Sequence, residues 1–369
     1  MHAAAHMQPT PIEPSTESHP DVLEIDGSRY SGSGTIVRQA VAYAALTARP
    51  IHMVRARARR PKPGLRAQHL CVARAICDLS HGRLEGAALG SQEFSFAPGR
   101  ARPAGQYVWD IGSAGSTTAL ALALLPVCAF ARERSTLELR GGLFQDFATS
   151  VFHLQHVLLP LLARMGLNAR ASMQRPGYVP TGTGVLMLEV EPLTRALQPL
   201  VLEQAGAVRR IWGIALASRL RARRVSDRIA EAAQSTLAAS GFTAEIDTRY
   251  DETAAQAGAA FALFADLADG VRLGADAAGA PRRRAETMGE RVARQLLAAI
   301  ASGSTVDRFA ADQLLPFAAL AAGETRVRIP LVTEHVQSGA WLAREFLGAE
   351  ARVEDGLLTV QGTGFWRTD

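Results

Sequence analysis

The chain has 369 residues, of which 48% are apolar and 20% charged, and its formal net charge at pH 7 is +5. These values are ordinary for a globular protein with a sizeable core, in one large domain or in two to three smaller ones. The small excess of positive charge does not by itself indicate nucleic-acid binding, although nearly all of it is arginine, whose planar guanidinium pairs well with phosphate oxygens. Three scattered cysteines exclude a disulfide framework, and no apolar run is long enough to span a bilayer. We therefore expect a reduced, cytoplasmic protein without a membrane role.

The first predicted unit combines strands, a glycine-rich turn and two helices. Residues 1–20 are polar and proline-rich, and we expect a disordered tail there. A strand over 22–25 leads into the glycine-rich turn 31–34 and a helix that runs to about residue 47. A further strand, a basic loop, a second helix over 65–79 and more strands complete the unit.

The same order of elements recurs twice further along the chain. In the second copy, the turn 112–116 precedes a helix over 117–130. In the third copy, helices over 289–301 and 312–322 precede a strand over 326–332 and a last helix. Because these copies of roughly 80 residues match in element order, the sequence predicts an α/β (α+β) fold with three repeated units.

One segment, residues 193–286, interrupts this pattern. It contains two strands, a helix over 225–239, an apolar stretch and a run of three arginines at 282–284. We expect it to form a small inserted α/β domain. Residues 21–192 and 287–369 would then form the large domain.

His335 is the strongest candidate for a catalytic residue. It is predicted to lie between the end of a strand and a helix that begins near Ser338, which is a suitable N-cap. The free amides of a helix start attract phosphate and disfavour a positive charge on the imidazole, and a neutral imidazole can attack phosphorus. Considered alone, the segment favours a merely solvated or capping histidine over a nucleophile.

The densest basic cluster lies in the loop before the second helix. If the loop is extended, Arg55, Arg57 and Arg59 alternate onto one side and can face one anion. Gln68 and His69 follow within the first turn of the helix, where amides and polar donors converge. The cluster favours binding of a phosphate or an RNA backbone, with a solvated basic loop as the alternative.

Both glycine-rich turns precede helices, so each is able to cradle a phosphate. Neither has the Walker A spacing or the GxGxxG fingerprint, and each taken singly is more often a plain structural turn. Arg38, four residues after Gly34, points back along its helix toward the first turn.

Two further groups of polar residues lie on predicted helices. Asp312 and Gln313 are predicted to open a helix shortly after Phe309, where they suit ribose, metal or base contacts. The alternative is a plain N-cap and a core phenylalanine. His153 and His156, three residues apart without a matching carboxylate or cysteine, are predicted to be histidines of a helix surface.

Seven segments together carry a resemblance to a known family. They are IDGSRYSGSGTIVRQA, RARRPKPGLRAQHL, LEGAALGS, DIGSAGSTTAL, GYVPTGTGV, ADQLLPFAALAAG and EHVQSGAWLAREFL. On these segments, from about residue 23 to residue 356, the chain resembles the RNA 3′-terminal phosphate cyclases. The resemblance implies three repeated βαβαββ units in a large domain, with a smaller α/β domain inserted before the last unit, in agreement with the predicted repeats.

The chemistry that this resemblance implies uses ATP and a divalent metal, Mg or Mn. A histidine attacks the α-phosphorus of ATP, pyrophosphate leaves, and the histidine carries AMP. AMP then passes to the 3′-phosphate of an RNA, and the neighbouring 2′-hydroxyl displaces AMP to give a 2′,3′-cyclic phosphate. The implied partner is an RNA with a 3′-phosphate end.

The resemblance also assigns residues to this chemistry. It places the nucleophile at His335 and a ring that stacks on adenine at Phe309, where the family has a tyrosine. The other implied ATP contacts are Arg38, Gln68, His69, Asp312 and Gln313. The implied contacts to the phosphate or the RNA are Arg57, Arg60 and Arg66. Metal ligands stay unassigned.

The chain departs from the family pattern at several of these positions. Ser31 replaces the acidic residue of the first glycine turn, Thr35 replaces a glutamine that follows it, and Leu122 replaces another glutamine. Residues 143–152 replace a proline-rich loop. Retention of His335 favours an enzyme, while the losses leave open a non-catalytic RNA-binding or assembly protein, or a nucleotidyl transferase with a different phosphorylated substrate.

Overall fold

The computed structural model describes residues 22–99, 105–146 and 148–366. The predicted disordered tail, residues 1–20, lies outside the described residues. Within the described part of the chain there are four sheets of four strands each, and helices cover them.

The first unit alternates strands and helices. Its elements are β1 (Leu23–Asp26), α1 (Gly34–Thr47), β2 (Ile51–Val54), α2 (Ala67–Ser80), β3 (Arg83–Glu85) and β4 (Phe94–Ala97). β1 and β2 are parallel, and β4 pairs antiparallel with both β2 and β3, which gives the order β1-β2-β4-β3. A parallel pair needs a crossover connection, and α1 provides it while burying its apolar Ala, Val and Ile side chains.

The second unit repeats this arrangement. Its elements are β5 (Gly105–Asp110), α3 (Thr117–Ala129), β6 (Ser135–Gly141), α4 (Val151–His153), a π-helical turn (Leu154–Leu158), α5 (Leu159–Arg164), β7 (Ala169–Arg175) and β8 (Gly184–Val190). The pairing is again one parallel and two antiparallel contacts, in the order β5-β6-β8-β7. α3 consists largely of Ala and Leu and is buried along its whole length, so it forms the centre of the core.

A separate sheet follows the short strand β9 (Val201–Leu202). Its elements are β10 (Val208–Ser218), α6 (Val225–Ala238), β11 (Ala244–Asp251), β12 (Gly258–Leu267), β13 (Arg272–Ala278) and α7 (Ala285–Ala301). The strand order is β11-β10-β12-β13, and α6 and α7 pack against each other. Gly289 allows this close packing, because a Cβ there would lie 2.3 Å from the carbonyl oxygen of Ile229.

The third unit completes the fold. Its remaining elements are α8 (Arg308–Leu320), β14 (Glu324–Arg328), α9 (Glu334–Leu347), β15 (Glu350–Glu354) and β16 (Leu357–Gln361). β14 is parallel to β9, and β16 is antiparallel to β14 and β15, in the order β15-β16-β14-β9. With β9 as its first strand, this unit has the strand and helix order of the first two. The predicted fold class is confirmed.

The strand pairing bears on where the insert begins and ends. β9 lies inside the segment 193–286 that the sequence assigns to the insert, yet it pairs with β14 of the third unit. α7 packs on α6, although the sequence places that helix in the third unit. We propose that the inserted domain begins after β9 and ends after α7, and that the rest of the described chain forms the large domain.

Helices from all three units share one core. α1 packs against α3 and α9, and α2 packs against α3. Tyr43 of α1 stacks on Phe346 of α9, with ring centroids 5.5 Å apart. These contacts bring the N-terminal ends of several helices to one side of the molecule.

The two helices that carry His335 and Asp312 begin earlier than the sequence predicts. α9 begins at Glu334, because the Thr333 side chain accepts a hydrogen bond from Val336 N at 3.1 Å. The prediction of Ser338 as N-cap is wrong, since its hydroxyl donates to Glu334 O inside the helix. α8 begins at Arg308 behind the N-cap Asp307, so Asp312 lies in its second turn rather than opening it.

No helix in the described ranges is long and apolar enough to cross a membrane.

Candidate active site

A cleft of about 470 Å³ lies where the three units meet the inserted sheet. It brings together every residue that the resemblance assigns to the site except Arg66. Those that line it are His335, Arg38, Arg57, Arg60, Gln68, His69, Phe309, Asp312 and Gln313. Arg66 is exposed at the N-cap of α2 and does not line the cleft. Residues from distant parts of the chain thus share one site, while their individual roles stay predictions.

His335 lies in the first turn of α9 and is half-buried. Its Nδ1 is 3.0 Å from Thr35 Oγ1, and Arg38 donates a hydrogen bond to the same oxygen at 3.2 Å. Burial lowers the pKa of His335 below its ordinary value, and the positive charges of Arg38 and Arg60 lower it further. The ring is therefore neutral at pH 7.

Three serine hydroxyls join the first glycine turn to α9. Ser31 Oγ is 3.0 Å from Ser33 Oγ and 2.8 Å from Ser338 Oγ. Ser338 donates its own proton to Glu334 O, so Ser31 donates to Ser338 and Ser33 donates to Ser31. Ser31 is buried within this chain of hydroxyls, which holds the start of α1 beside His335.

The basic loop is folded into turns and is not extended. Arg55 and Arg57 both have positive φ values, which breaks the alternation that the sequence argument assumed. Arg55 pairs with Asp26 at 2.6 Å and Arg59 pairs with Glu334 at 3.0 Å, so neither lines the cleft. The prediction that Arg55, Arg57 and Arg59 share one side is wrong.

Within this loop, Arg57 and Arg60 are the residues that reach the cleft. Arg57 is buried, and its Nη1 donates to the carbonyl oxygens of Lys62 and Gly64. Its Nε has no partner in the described part of the chain. Arg57 and Arg60 thus bring two guanidinium-bearing side chains to the cleft, and guanidinium groups suit an anionic oxygen.

Gln68 and His69 occupy the first turn of α2, as the sequence predicts. Gln68 Oε1 accepts a hydrogen bond from Ser116 N at 2.8 Å and so ties the first unit to the second glycine turn. His69 Nδ1 accepts from Arg66 N at 3.2 Å, which leaves the ring proton on Nε2. Burial, followed by nearby arginine charges, holds the pKa of His69 far below its ordinary value.

The His69 ring needs the glycine of the first turn. A Cβ on Gly34 would lie 2.0 Å from His69 Nε2, too close for any other residue to fit without displacing the ring. Gly34 therefore acts here by close approach, with no need of an unusual φ.

The first turns of α8 form the opposite wall. Phe309 is half-buried, and the Arg308 guanidinium lies 5.1 Å from its ring centroid. Asp312 is buried, and burial raises its pKa to about 7 although the Arg38 charge opposes this shift. Gln313 Nε2 donates to Asp312 at 3.1 Å, so the amide and carboxyl act as one polar pair.

Sequence reasoning missed one wall of the cleft. It is formed by Gln145 and Asp146 of the second unit with Asp276, Arg283 and Arg291 of the inserted layer. Asp146 accepts hydrogen bonds from Arg283 at 2.7 and 3.1 Å. The arginine run at 282–284 was the available signal, but its partner lies more than a hundred positions away in the chain.

The cleft offers a divalent metal few ligands of its own. Among the described residues, no group of three His, Cys, Asp or Glu side chains is placed to hold a metal. Asp146 is paired with Arg283, which leaves Asp276 and Asp312 as carboxyl groups at the cleft. Mg²⁺ is commonly held by one or two carboxylates together with substrate phosphates, so these two fit such a role.

A neutral histidine beside several guanidinium groups and an aromatic ring defines a class of site that handles phosphate esters. The fold and the cleft together describe an α/β protein whose cleft is suited to binding phosphate groups. The family model for RNA 3′-terminal phosphate cyclase matches residues 29–353. The chain belongs to this family.

Relatives named RNA 3′-terminal phosphate cyclase align along nearly the whole chain. The protein of Methylococcus capsulatus is 39% identical over 352 residues, covering 94% of this chain and 96% of its own. The protein of Thermococcus gammatolerans is 37% identical, covering 90% and 94%. That of Staphylothermus marinus is 31% identical, covering 93% and 99%.

Among solved structures, the enolpyruvyl transferase NikO from Streptomyces tendae aligns with 94% of this chain and 50% of its own, at 12% identity and a TM-score of 0.41.

Proposed function

We propose that the protein converts the 3′-terminal phosphate of an RNA to a 2′,3′-cyclic phosphate, using ATP and a covalent His335–AMP intermediate. The observation that carries the proposal is the placement of His335, a half-buried and neutral imidazole in a cleft lined by Arg38, Arg57 and Arg60. The names of relatives that match nearly the whole chain support the same substrate class.

In the first step, His335 Nε2 attacks the α-phosphorus of ATP. The hydrogen bond between His335 Nδ1 and Thr35 Oγ1 supports this step, because an Nδ1–H that donates to Thr35 Oγ1 leaves the lone pair of the neutral ring on Nε2. A P–N bond forms, the bond to the β-phosphate oxygen breaks, and pyrophosphate leaves with the bonding pair. Guanidinium groups would offset the charge that develops on the phosphate oxygens.

In the second and third steps, AMP passes from His335 to the RNA end and is then expelled. An oxygen of the 3′-phosphate attacks the adenylyl phosphorus, and the P–N bond breaks. The 2′-hydroxyl then attacks the terminal phosphorus, loses its proton and displaces AMP as the ring closes. Arg57 and Arg60 are the groups we assign to the RNA phosphate, because both side chains line the cleft and guanidinium groups pair well with phosphate oxygens.

The departures from the family limit what the cleft can offer to a metal. Ser31 has its hydroxyl engaged with Ser33 and Ser338, and Leu122 places an apolar side chain at the cleft. The metal requirement therefore stays a prediction, with Asp276 and Asp312 as the candidate ligands. A bound metal would neutralise triphosphate charge and polarise the α-phosphate.

The direct test is cyclisation of an RNA oligonucleotide with a 3′-phosphate, in the presence of ATP and either Mg²⁺ or Mn²⁺. We expect a product whose end resists phosphatase, and none from an oligonucleotide with a 3′-hydroxyl. His335→Ala should lower the rate by a factor on the order of 10³ or more. His52→Ala is the matched control, because His52 lies outside the cleft and pairs with Glu93 at 3.0 Å.

A cyclic product formed equally well by His335→Ala would contradict the proposal. Salt-dependent RNA binding without a product under either metal would instead favour a non-catalytic RNA-binding protein. Transfer of AMP to a small phosphorylated compound, but not to RNA, would favour the third alternative.

A further inference from the structure

His153 and Asp307 form a buried histidine–carboxylate pair where the second unit, the inserted sheet and the third unit meet. His153 Nε2 lies 3.0 and 2.9 Å from the two carboxylate oxygens of Asp307. Their side chains are 0% and 1% exposed. The prediction that His153 belongs to a helix surface is therefore wrong. Its partner Asp307 lies 154 positions away in the chain, and no local pattern indicates that pairing.

Asp307 connects three parts of the fold through one carboxylate. As the N-cap of α8, it accepts hydrogen bonds from the backbone N–H groups of Phe309 and Ala310, both at 2.9 Å. It also accepts one from Gly274 N in β13 at 3.0 Å. Every one of these donors is fixed by secondary structure, so the carboxylate sets the position of the first turn of α8.

The same pair contacts the aromatic wall of the cleft. The His153 and Phe309 ring centroids are 6.0 Å apart with the planes at 79°, an edge contact. On the other side, Gly274 allows the inserted sheet to approach, since a Cβ there would lie 3.0 Å from His153 Cδ2. The Phe309 ring thus contacts His153, and the Phe309 backbone is fixed by the hydrogen bond from its N–H to Asp307.

Stability alone does not account for this arrangement. His153 Nδ1 has no hydrogen-bond partner in the described part of the chain. Apolar side chains of similar volume commonly stabilise a core as well as a buried polar pair does. Apolar packing allows several side-chain orientations, whereas the hydrogen bonds of this pair hold the carboxylate and the ring in one orientation.

We propose that the His153–Asp307 pair is a positioning device for the nucleobase of a nucleoside triphosphate. It fixes the first turn of α8 and the edge of the Phe309 ring, so that the ring face is ready for a purine to stack on it. The inference rests on the proposed function, in which Phe309 is the stacking residue. His153 and Asp307 are positioning residues, since they act through Phe309.

Three substitutions separate the parts of the device. His153→Phe keeps a ring beside Phe309 but removes the donor to Asp307. His153→Gln keeps a donor near the place of Nε2. The double variant His153→Phe with Asp307→Ser removes the carboxylate that would be left unpaired and keeps an N-cap oxygen, which protects against loss of folding.

The measurement is equilibrium binding of ATP and of inorganic triphosphate by calorimetry, without turnover. Because a poorly positioned ring loses part of the stacking on the base, we expect His153→Phe and the double variant to weaken ATP binding about tenfold. Binding of inorganic triphosphate should stay unchanged, because it has no base. His153→Gln should retain most of the ATP affinity, and His52→Phe, a control at an exposed pair, should retain all of it.

Equal losses for ATP and inorganic triphosphate would overturn the inference, because they would indicate a general loosening of the cleft. Unchanged ATP binding in both variants would also overturn it. A wild-type protein that binds ATP no better than inorganic triphosphate would contradict both this inference and the proposed function. A wild-type protein that binds ATP through this wall but makes no cyclic RNA end would end the proposed function and leave the inference standing.

Discussion

At the residue scale, the reactivity of His335 depends on its burial and on the charges that surround it. Burial has the largest effect on its pKa, and Arg38 and Arg60 add to it, all in the downward direction. Glu334 opposes them as the neighbouring residue in the chain. An imidazole in this setting is unprotonated at neutral pH and is able to act as a nucleophile.

Replacement of Arg60 should change the pH dependence of adenylylation in a defined direction. The rate falls in acid as His335 becomes protonated, and removal of a positive charge raises the pKa of that ring. Arg60→Gln should therefore move the acid limb of the single-turnover rate at saturating ATP to higher pH. Arg49→Gln, at a half-buried position outside the cleft, should leave the limb in place. A limb that moves to lower pH in Arg60→Gln would contradict this account.

The sequence predicted individual site residues better than their connections. His335, Arg38, Gln68 and His69 were found because they belong to short motifs, and all four reach the cleft. The bond between Ser31 and Ser338 joins positions 307 apart, and no local pattern indicates it. Burial of His153 was missed for the same reason, since a titratable group is stable inside only with a partner that lies elsewhere.

At the element scale, the N-terminal turn of α9 carries His335. Thr333 caps this turn through its hydroxyl, and Ser338 is bonded to the first glycine turn. The start of α1 and the start of α9 are thereby held against each other, which brings Thr35 to His335. The start of α9, which the sequence predicted four residues too late, therefore sets the position of His335 relative to Thr35.

Loss of the Thr333 cap should weaken both the fold and the site. Thr333→Ala leaves helix N–H groups without a side-chain acceptor and should lower the free energy of unfolding by about 1 kcal/mol in urea titration. Thr333→Ser keeps the oxygen and is the matched control, with a smaller loss. The single-turnover rate should fall in the alanine variant more than in the serine variant. Equal stability of the two variants would show that the cap is not made in solution.

At the scale of the whole molecule, one ion-pair cluster links the second unit to the inserted layer. Both carboxylate oxygens of Asp146 accept hydrogen bonds from Arg283, and Arg291 Nη2 lies 3.5 Å from Asp146 Oδ1. The hydrogen bond and charge of Arg283 hold the pKa of Asp146 below its ordinary value, although burial acts in the opposite direction. The contribution of this pair to stability is therefore present at neutral pH and lost as the pH falls through that lowered pKa.

The Asp146 pair should be visible in the pH dependence of unfolding. The wild-type protein should lose more unfolding free energy between pH 7 and acid than Asp146→Asn, because the variant lacks the carboxylate that gains from Arg283. Glu245→Gln is the control, since its pair with Arg210 lies on the surface and should contribute little. An acid loss in Asp146→Asn equal to that of the wild type would contradict the linkage.

The overall architecture was predictable because three units repeat one order of elements. The limits of the insert were not, because β9 has two residues and no pattern of its own, and only its pairing with β14 assigns it to the third unit. α7 is amphipathic like the helices of the units, and its apolar face does not reveal whether it packs on α6 or on α8. Such choices depend on contacts between distant segments.

The central claim is that His335 accepts AMP, and the most direct measurement is mass spectrometry of the intact protein after incubation with ATP and a divalent metal. We expect one AMP adduct, stable in alkali and labile in acid, that maps to the peptide containing His335 and is absent from His335→Ala. An adduct on another residue, or undiminished adduct in His335→Ala, would contradict the account.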